Sequence, residues 1–449
     1  MATILSPNPA MQDLKLTFQE STLVFPSQQT HKRPLFLSNL EQFLNFNAQI
    51  IHFFQANPDF PPETVAQRLR MAVEKVLVPY DFMAGRIKWN GLSGRAEIEC
   101  NGAGAGFVVA CSELSVDEIG DLFCPNLGFK QLAVQRLENL DDHDQPLCVF
   151  QITSFKCGGF AIGMSINHML FDGLAAKLFH ENLASLAFDD QNKHLPFIPF
   201  HNRHLLAARS PPLVAFPHPD YIKPDDPVLG LSLPGSKQEL DYRVLKITPK
   251  DIGFLKSKAK PASDHNASIK ITSHNVVAAL IWRCRALSSC DIDKNKDKQI
   301  TILYAVDIRS RMNNALPLEY CGNAVLGGYA LAKCEDIEKW PFSELVRMVS
   351  EGIARVTDEY VKSAIDWLEV NKGMPFGDCM VTSWLRLGFD QVEFPWGKPA
   401  CCVPVANQFE RVCYVFPGAD GDINVLVQRP AEDMERFQFH FHNFFANDT

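Results

Sequence analysis

The stretch that decides the fold runs from Cys157 to Gly173, CGGFAIGMSINHMLFDG. Its segment Phe160–Ile166 is mostly apolar and follows a glycine pair, and it reads as a strand. The apolar run ends at His168. Four residues later Asp172-Gly173 leads into Leu-Ala-Ala-Lys-Leu-Phe, which reads as a helix. His168 is therefore expected at a strand end where the chain turns, and Asp172 where a carboxylate caps free helix amides. A histidine so placed suits a general base, because its ordinary pKa of about 6.5 leaves a neutral ring available near neutral pH. The same positions also fit a core histidine beside a capping aspartate, and by themselves they do not choose between the two.

Outward from this stretch, helix and strand signals mix in both halves of the chain. Pro61-Pro62 opens a segment with apolar residues at Val65, Leu69, Ala72, Val73, Val76 and Leu77, which is helical spacing with proline at the start. Leu345, Val349, Ile353 and Val356 mark one face of a second helix from about Pro341. Short strands are expected at Leu14–Phe18, Arg95–Cys100, Phe107–Cys111, Ile300–Val306 and Ile423–Val427. Few tight two-residue turns join them, so the expected class is α/β with mixed sheets. Between Pro196 and Pro234 lie nine of the 29 prolines, which excludes a long helix or a central strand there. We read residues 196–234 as an ordered crossover between a domain at 1–195 and another at 235–449.

Composition narrows the function. At 449 residues the chain is about three typical domain lengths. With 46% hydrophobic and 21% charged residues it has the make-up of a folded soluble protein. A net charge of −9 argues against nucleic acid or an anionic membrane as main partner. No apolar run reaches the roughly 18 residues of a membrane span. The opening MATILSPNPAMQDLKL lacks a basic region followed by an apolar core, so a secretory signal is not expected. The 13 cysteines are scattered without a C-x-x-C pair, which implies neither a disulfide scaffold nor zinc, and the expected location is cytoplasmic with reduced thiols. Thirty-three phenylalanines stand against eight tyrosines, a surplus of rings suited to dry cores or dry pockets. Gly102, Gly104 and Gly106 lie between strand-like segments and do not open a helix, so they read as a turn and not a phosphate loop. His440 and His442 have strand spacing but no third ligand, and no metal site is expected.

Further blocks carry a family resemblance. His168, Asp172 and Gly173 complete a His-x-x-x-Asp-Gly motif. Near the C-terminus stands Glu393-Phe394-Pro395-Trp396-Gly397. Between them, in order, come Val306-Asp307-Ile308-Arg309-Ser310-Arg311, Tyr320-Cys321-Gly322-Asn323 and Thr382-Ser383-Trp384, with Ala84-Gly85-Arg86 ahead. Over nearly its whole length the chain resembles the plant BAHD acyl-CoA-dependent acyltransferases. It looks most like hydroxycinnamoyl transferases acting on fatty alcohols or ω-hydroxy acids. The resemblance implies two chloramphenicol-acetyltransferase-like domains, with His168 midway along a channel between them. His168 would be the general base, Asp172 would pair with Arg309, and Thr382 would donate to the oxyanion. Lys256, Lys258, Lys260 and Ser273 fall where family members contact CoA. Gly173, Glu393, Phe394, Trp396 and Gly397 would be structural. The last motif departs from the family's Asp-Phe-Gly-Trp-Gly in Glu393 and Pro395, which puts folding or CoA geometry in question more than chemistry. The implied enzyme is a monomeric, cytoplasmic O-acyltransferase of specialised metabolism. It would use acyl-CoA as co-substrate, no permanently bound cofactor and a small-molecule alcohol acceptor. An amine acceptor, or a non-catalytic scaffold of the same fold, is the alternative.

Overall fold

The computed structural model describes residues 3–5, 13–188, 195–224, 240–260, 270–289, 296–406 and 409–446. In chain order its N-terminal elements are β1 (Thr3–Leu5), β2 (Leu16–Val24), β3 (Arg33–Leu35), β4 (Asn47–Phe54), α1 (Pro62–Val76), β5 (Arg86–Asn90), β6 (Arg95–Cys100), β7 (Ala105–Ser112), β8 (Cys148–Ser154), β9 (Phe160–Asn167) and α2 (Gly173–Ala187). After β10 (Tyr221–Ile222) come β11 (Asp241–Ile247), α3 (Pro249–Lys258), α4 (Ser273–Ser289), β12 (Gln299–Asp307), β13 (Val325–Lys333), α5 (Cys334–Lys339), α6 (Phe342–Arg355) and α7 (Asp358–Asn371). The chain closes with β14 (Met374–Pro375), β15 (Cys379–Ser383), β16 (Cys401–Pro404), β17 (Val412–Pro417), β18 (Ile423–Arg429) and α8 (Ala431–Ala446). Among the described residues no helix is long and apolar enough to cross a membrane.

Two mixed sheets flanked by helices organise these elements. One has the order β16-β4-β9-β8-β7-β2, the other β1-β11-β18-β17-β15-β12-β13. A small sheet, β3-β6-β5, stands beside the first. The sheets exchange strands: β1 joins β11 in the C-terminal sheet, and β16 pairs with β4 in the N-terminal one. Strand membership therefore does not follow divisions at 195 and 235. Each sheet has its own core, and a third apolar cluster joins Ile51, Phe53 and Ala161 to Val244, Phe416 and Leu426.

Local sequence explains the elements nearest the site. β9 is buried along its whole length between β4 and β8, hence its apolar reading. α1 starts with proline in its first turn and buries Val65, Leu69, Ala72, Val73 and Val76 as one stripe. Gly102 and Gly104 take positive φ of 70° and 94° in the turn from β6 to β7, as expected of a turn and not a phosphate loop. His440 and His442 prove to lie on α8, where residues two apart do not share a face, so the strand spacing read from sequence does not hold.

Over 195–224 the crossover is tied down along its length. Asn182 on α2 both donates to Phe197 O (2.8 Å) and accepts its N–H (3.1 Å). Asp366 on α7 accepts from the amides of Arg209 and Leu213, each at 2.8 Å. Ser363 Oγ accepts from Ala215 and Phe216. Side chains thus satisfy the backbone that a proline-rich segment leaves without a ladder.

Candidate active site

The β4–β9 ladder ends at the pair Asn47–Asn167, one residue before His168. His168 N–H donates to Phe46 O (2.8 Å), and Asn167 Oδ1 accepts from Met169 N–H (3.0 Å), an Asx turn that throws the next side chain off the strand. His168 O accepts from Asn323 Nδ2 (2.8 Å). The residue is half-buried, its Nδ1 is buried with no hydrogen-bond partner, and its ring lies 5.3 Å from that of Phe46. Burial pulls the imidazole pKa below its usual value; its own backbone, Asp172 and Asn323 oppose this without cancelling it. The ring is thus neutral at physiological pH and able to take up a proton.

Asp172 is fully committed to the fold. Its Oδ1 accepts from Ala175 N–H (2.9 Å), capping α2, and from Arg309 Nη2 (3.0 Å). Its Oδ2 accepts from Arg309 Nη1 (2.9 Å) and Ala324 N–H (2.8 Å). The Asp172–Arg309 pair is bidentate and nearly dry, with side chains 2% and 4% exposed. Arg309 also reaches Asp307 (2.9 Å) and Tyr320 O (3.2 Å). With its bonds going to the first turn of α2, to the residue before β13 and to a guanidinium, the Asp172 carboxylate ties the turn that carries His168 into the fold.

Gly173 has a separate reason to be glycine. A Cβ there would stand 2.7 Å from Leu387 Cδ1. The Leu387 side chain, from the segment after Thr382-Ser383-Trp384, thus packs directly on the start of α2. Thr382 is half-buried on β15 in register with Tyr414 of β17, and Trp384 packs between Phe389 and Tyr414.

The second motif lies in the N-terminal core. Phe394 and Trp396 stack at 5.1 Å, and both meet Phe54 edge-on. Phe394 and Gly397 exchange backbone hydrogen bonds of 3.1 and 2.9 Å across a tight turn, with Gly397 at φ 113°. Pro395 occupies the first corner of that turn, where its fixed φ is favourable and no N–H is required. Glu393 is exposed. The two departures from the family pattern therefore fall where the fold tolerates them.

Of the expected CoA residues, Lys256 and Lys258 are on the last turn of α3 and Lys260 lies just beyond it. Lys258 and Lys260 are exposed and Lys256 is half-buried. Ser273 is the first residue of α4, while the side chain accepting the helix amide is Thr272 (3.1 Å from Asn275 N). Sequence reasoning missed three residues that hold the His168 turn: Glu41, Arg203 and Asn323. Asn323 ends the Tyr320-Cys321-Gly322-Asn323 block, whereas Glu41 and Arg203, the latter in the proline-rich crossover, carry no signal of their own.

Comparison with known proteins identifies the family and the fold. A transferase-family model matches residues 14–444. The chain is 48% identical over 443 residues to the acyltransferase GLAUCE of Arabidopsis thaliana, covering 97% of each. It is 32% identical to the omega-hydroxypalmitate O-feruloyl transferase of the same plant, over 95% of this chain and 93% of the relative. With the shikimate O-hydroxycinnamoyltransferase of Nicotiana tabacum it shares 32% identity, over 96% of this chain and all of the relative. In fold it is similar to vinorine synthase, with a TM-score of 0.72 and 20% identity over 94% of this chain and 96% of that one. The chain belongs to the plant BAHD family and, with it, to the acyl-CoA-dependent O-acyltransferases.

Proposed function

We propose that the protein moves an aromatic hydroxycinnamoyl or long aliphatic acyl group from CoA to a hydroxyl of a plant specialised metabolite, with His168 as general base and no acyl-enzyme. The observation that carries this is the placement of the His168 ring: half-buried at a strand end, held through its backbone, free of any carboxylate on Nδ1, and in surroundings whose burial pulls its pKa down. A thioester is already activated, so the remaining need is a base for the acceptor hydroxyl and donors for the oxyanion. A ring nitrogen takes the hydroxyl proton as the oxygen attacks the thioester carbonyl. Thr382 supplies an oxyanion hydrogen bond. The intermediate then collapses, the C–S bond breaks, and the imidazolium returns its proton to the departing thiolate.

Lys256, Lys258, Lys260 and Ser273 hold the CoA phosphates in this reading. Phe46 and Phe409, 5.8 Å apart with Phe46 against His168, supply apolar ring surface beside the base, which favours an aromatic or long acyl group over acetyl. The feruloyl and hydroxycinnamoyl transferases among the relatives support the same reading. We place the enzyme in the cytoplasm as a monomer with no permanently bound cofactor. The test is release of CoA thiol from a panel of acyl-CoAs, with and without alcohol and amine acceptors. Thiol release requiring a hydroxyl acceptor, fastest with hydroxycinnamoyl or long-chain donors, is expected. A stoichiometric burst without acceptor would contradict direct transfer, and turnover confined to amines would contradict O-acylation.

A further inference from the structure

The catalytic turn is gripped by a second buried ion pair with no precedent in its motif. Arg203, in the 3-10 turn Arg203–Leu206 of the crossover, donates from Nη1 to Met169 O (3.0 Å) and from Nη2 to Leu170 O (2.5 Å). Its Nη1 also pairs with Glu41 Oε1 (3.0 Å), and both side chains are 0% exposed. Glu41 accepts from Ser38 N–H (2.6 Å) and from Asn323 N–H (3.0 Å), and Asn323 is the residue that holds His168 O (2.8 Å). Gly322 makes room for this meeting, since a Cβ there would lie 3.0 Å from Glu41 Oε1. The crossover also runs beside the same block, through Cys321 N–H to Phe200 O (2.8 Å) and Phe200 N–H to Glu319 O (2.9 Å). The three successive carbonyls of His168, Met169 and Leu170 are therefore all held by side chains from other segments.

We propose that Arg203 and Glu41 form a positioning strut that sets the aim of His168, linking the crossover and the N-terminal loop to the catalytic turn. The inference rests on His168 being the base. A charge pair kept wholly out of water is a weak source of stability, because desolvation offsets its attraction. What the pair does supply is geometry, and misplacing a reacting group by about 1 Å costs on the order of 10²-fold in rate.

The test compares wild-type protein with Arg203→Met/Glu41→Leu, Arg203→Lys and His168→Ala, all corrected for folded fraction. The double variant removes both charges and so leaves no buried ion unpaired, but it frees the Met169 and Leu170 carbonyls. Its kcat should fall roughly 10²-fold while KM for acyl-CoA changes less than about threefold. Arg203→Lys keeps the charge opposite Glu41, yet one ammonium replaces a two-pronged donor, so kcat should fall about tenfold with KM little changed. Folded protein with kcat within about threefold of wild type in the double variant overturns the strut. If the double variant does not fold, Arg203→Lys with kcat within about twofold overturns it instead. His168→Ala separates the two claims: activity retained there defeats the base, whereas activity lost there but kept in the strut variants defeats only the strut.

Discussion

The two motif turns of this protein are held by opposite physics. The His168–Gly173 turn buries Met169, Leu170 and Phe171 in the core, but its backbone and carboxylate are clamped by polar and charged side chains: Asp172 by Arg309, the carbonyls before it by Arg203 and Asn323. The Glu393–Gly397 turn is clamped by rings, with Phe394 and Trp396 inserted among Phe54 and Phe160. A charge clamp fixes direction and tolerates no change of donor or acceptor. A ring clamp fixes volume and is indifferent to the residues that lie outside the ring cluster. This explains why the first motif is intact here while the second carries glutamate and proline at two of its five positions.

Breaking the charge clamp should have the largest effect. Asp172→Ala leaves Arg309 buried without its main partner and removes the cap of α2. A loss of about 3–5 kcal/mol in unfolding free energy is expected by urea titration, together with loss of transfer activity. Trp396→Ala tests the other clamp: emptying its place in the ring cluster should cost about 3–5 kcal/mol, with activity per folded molecule retained. Equal loss of activity per folded molecule in both variants would erase the distinction.

Acid sharpens the comparison further. His52 and His180 lie in the ring-clamped core against Phe389, and burial pulls both below the usual histidine range, His180 to about 4. Their folded pKa values are depressed, so the unfolded chain binds more protons as pH drops below about 6.5. Stability is therefore full above that pH and is lost progressively toward pH 4, measurable as a falling melting temperature. Replacing His180 by Asn should flatten that fall. For His168 the same depression places the acidic limb of kcat/KM below pH 6.5. The smallest effects belong to the two departures from the family pattern: Pro395→Ala, at the half-buried turn corner, should cost no more than about 1 kcal/mol, and Glu393→Asp, at an exposed position, should lie within about 0.5 kcal/mol of wild type.

What the sequence made legible was local. β6 spans the expected Arg95–Cys100, and β9 and β18 contain the strands read at Phe160–Ile166 and Ile423–Val427. α1 begins at Pro62, where the proline pair places a helix start. Each of these carries its own periodicity or cap. The exchange of β1 and β16 between sheets has no such mark, because pairing partners hundreds of residues apart leave no pattern in either strand. At the site, His168, Asp172 and Arg309 were readable as a motif and a family block. Arg203 was not, since its role comes from where the crossover runs and not from its neighbours.

The central claim is that His168 supplies the base for direct acyl transfer. It is tested most directly by CoA thiol release from His168→Ala at equal folded content, against wild type with the same donor and hydroxyl acceptor. The account predicts a fall of about 10²–10⁴-fold with an unchanged unfolding midpoint. Turnover equal to wild type would contradict it.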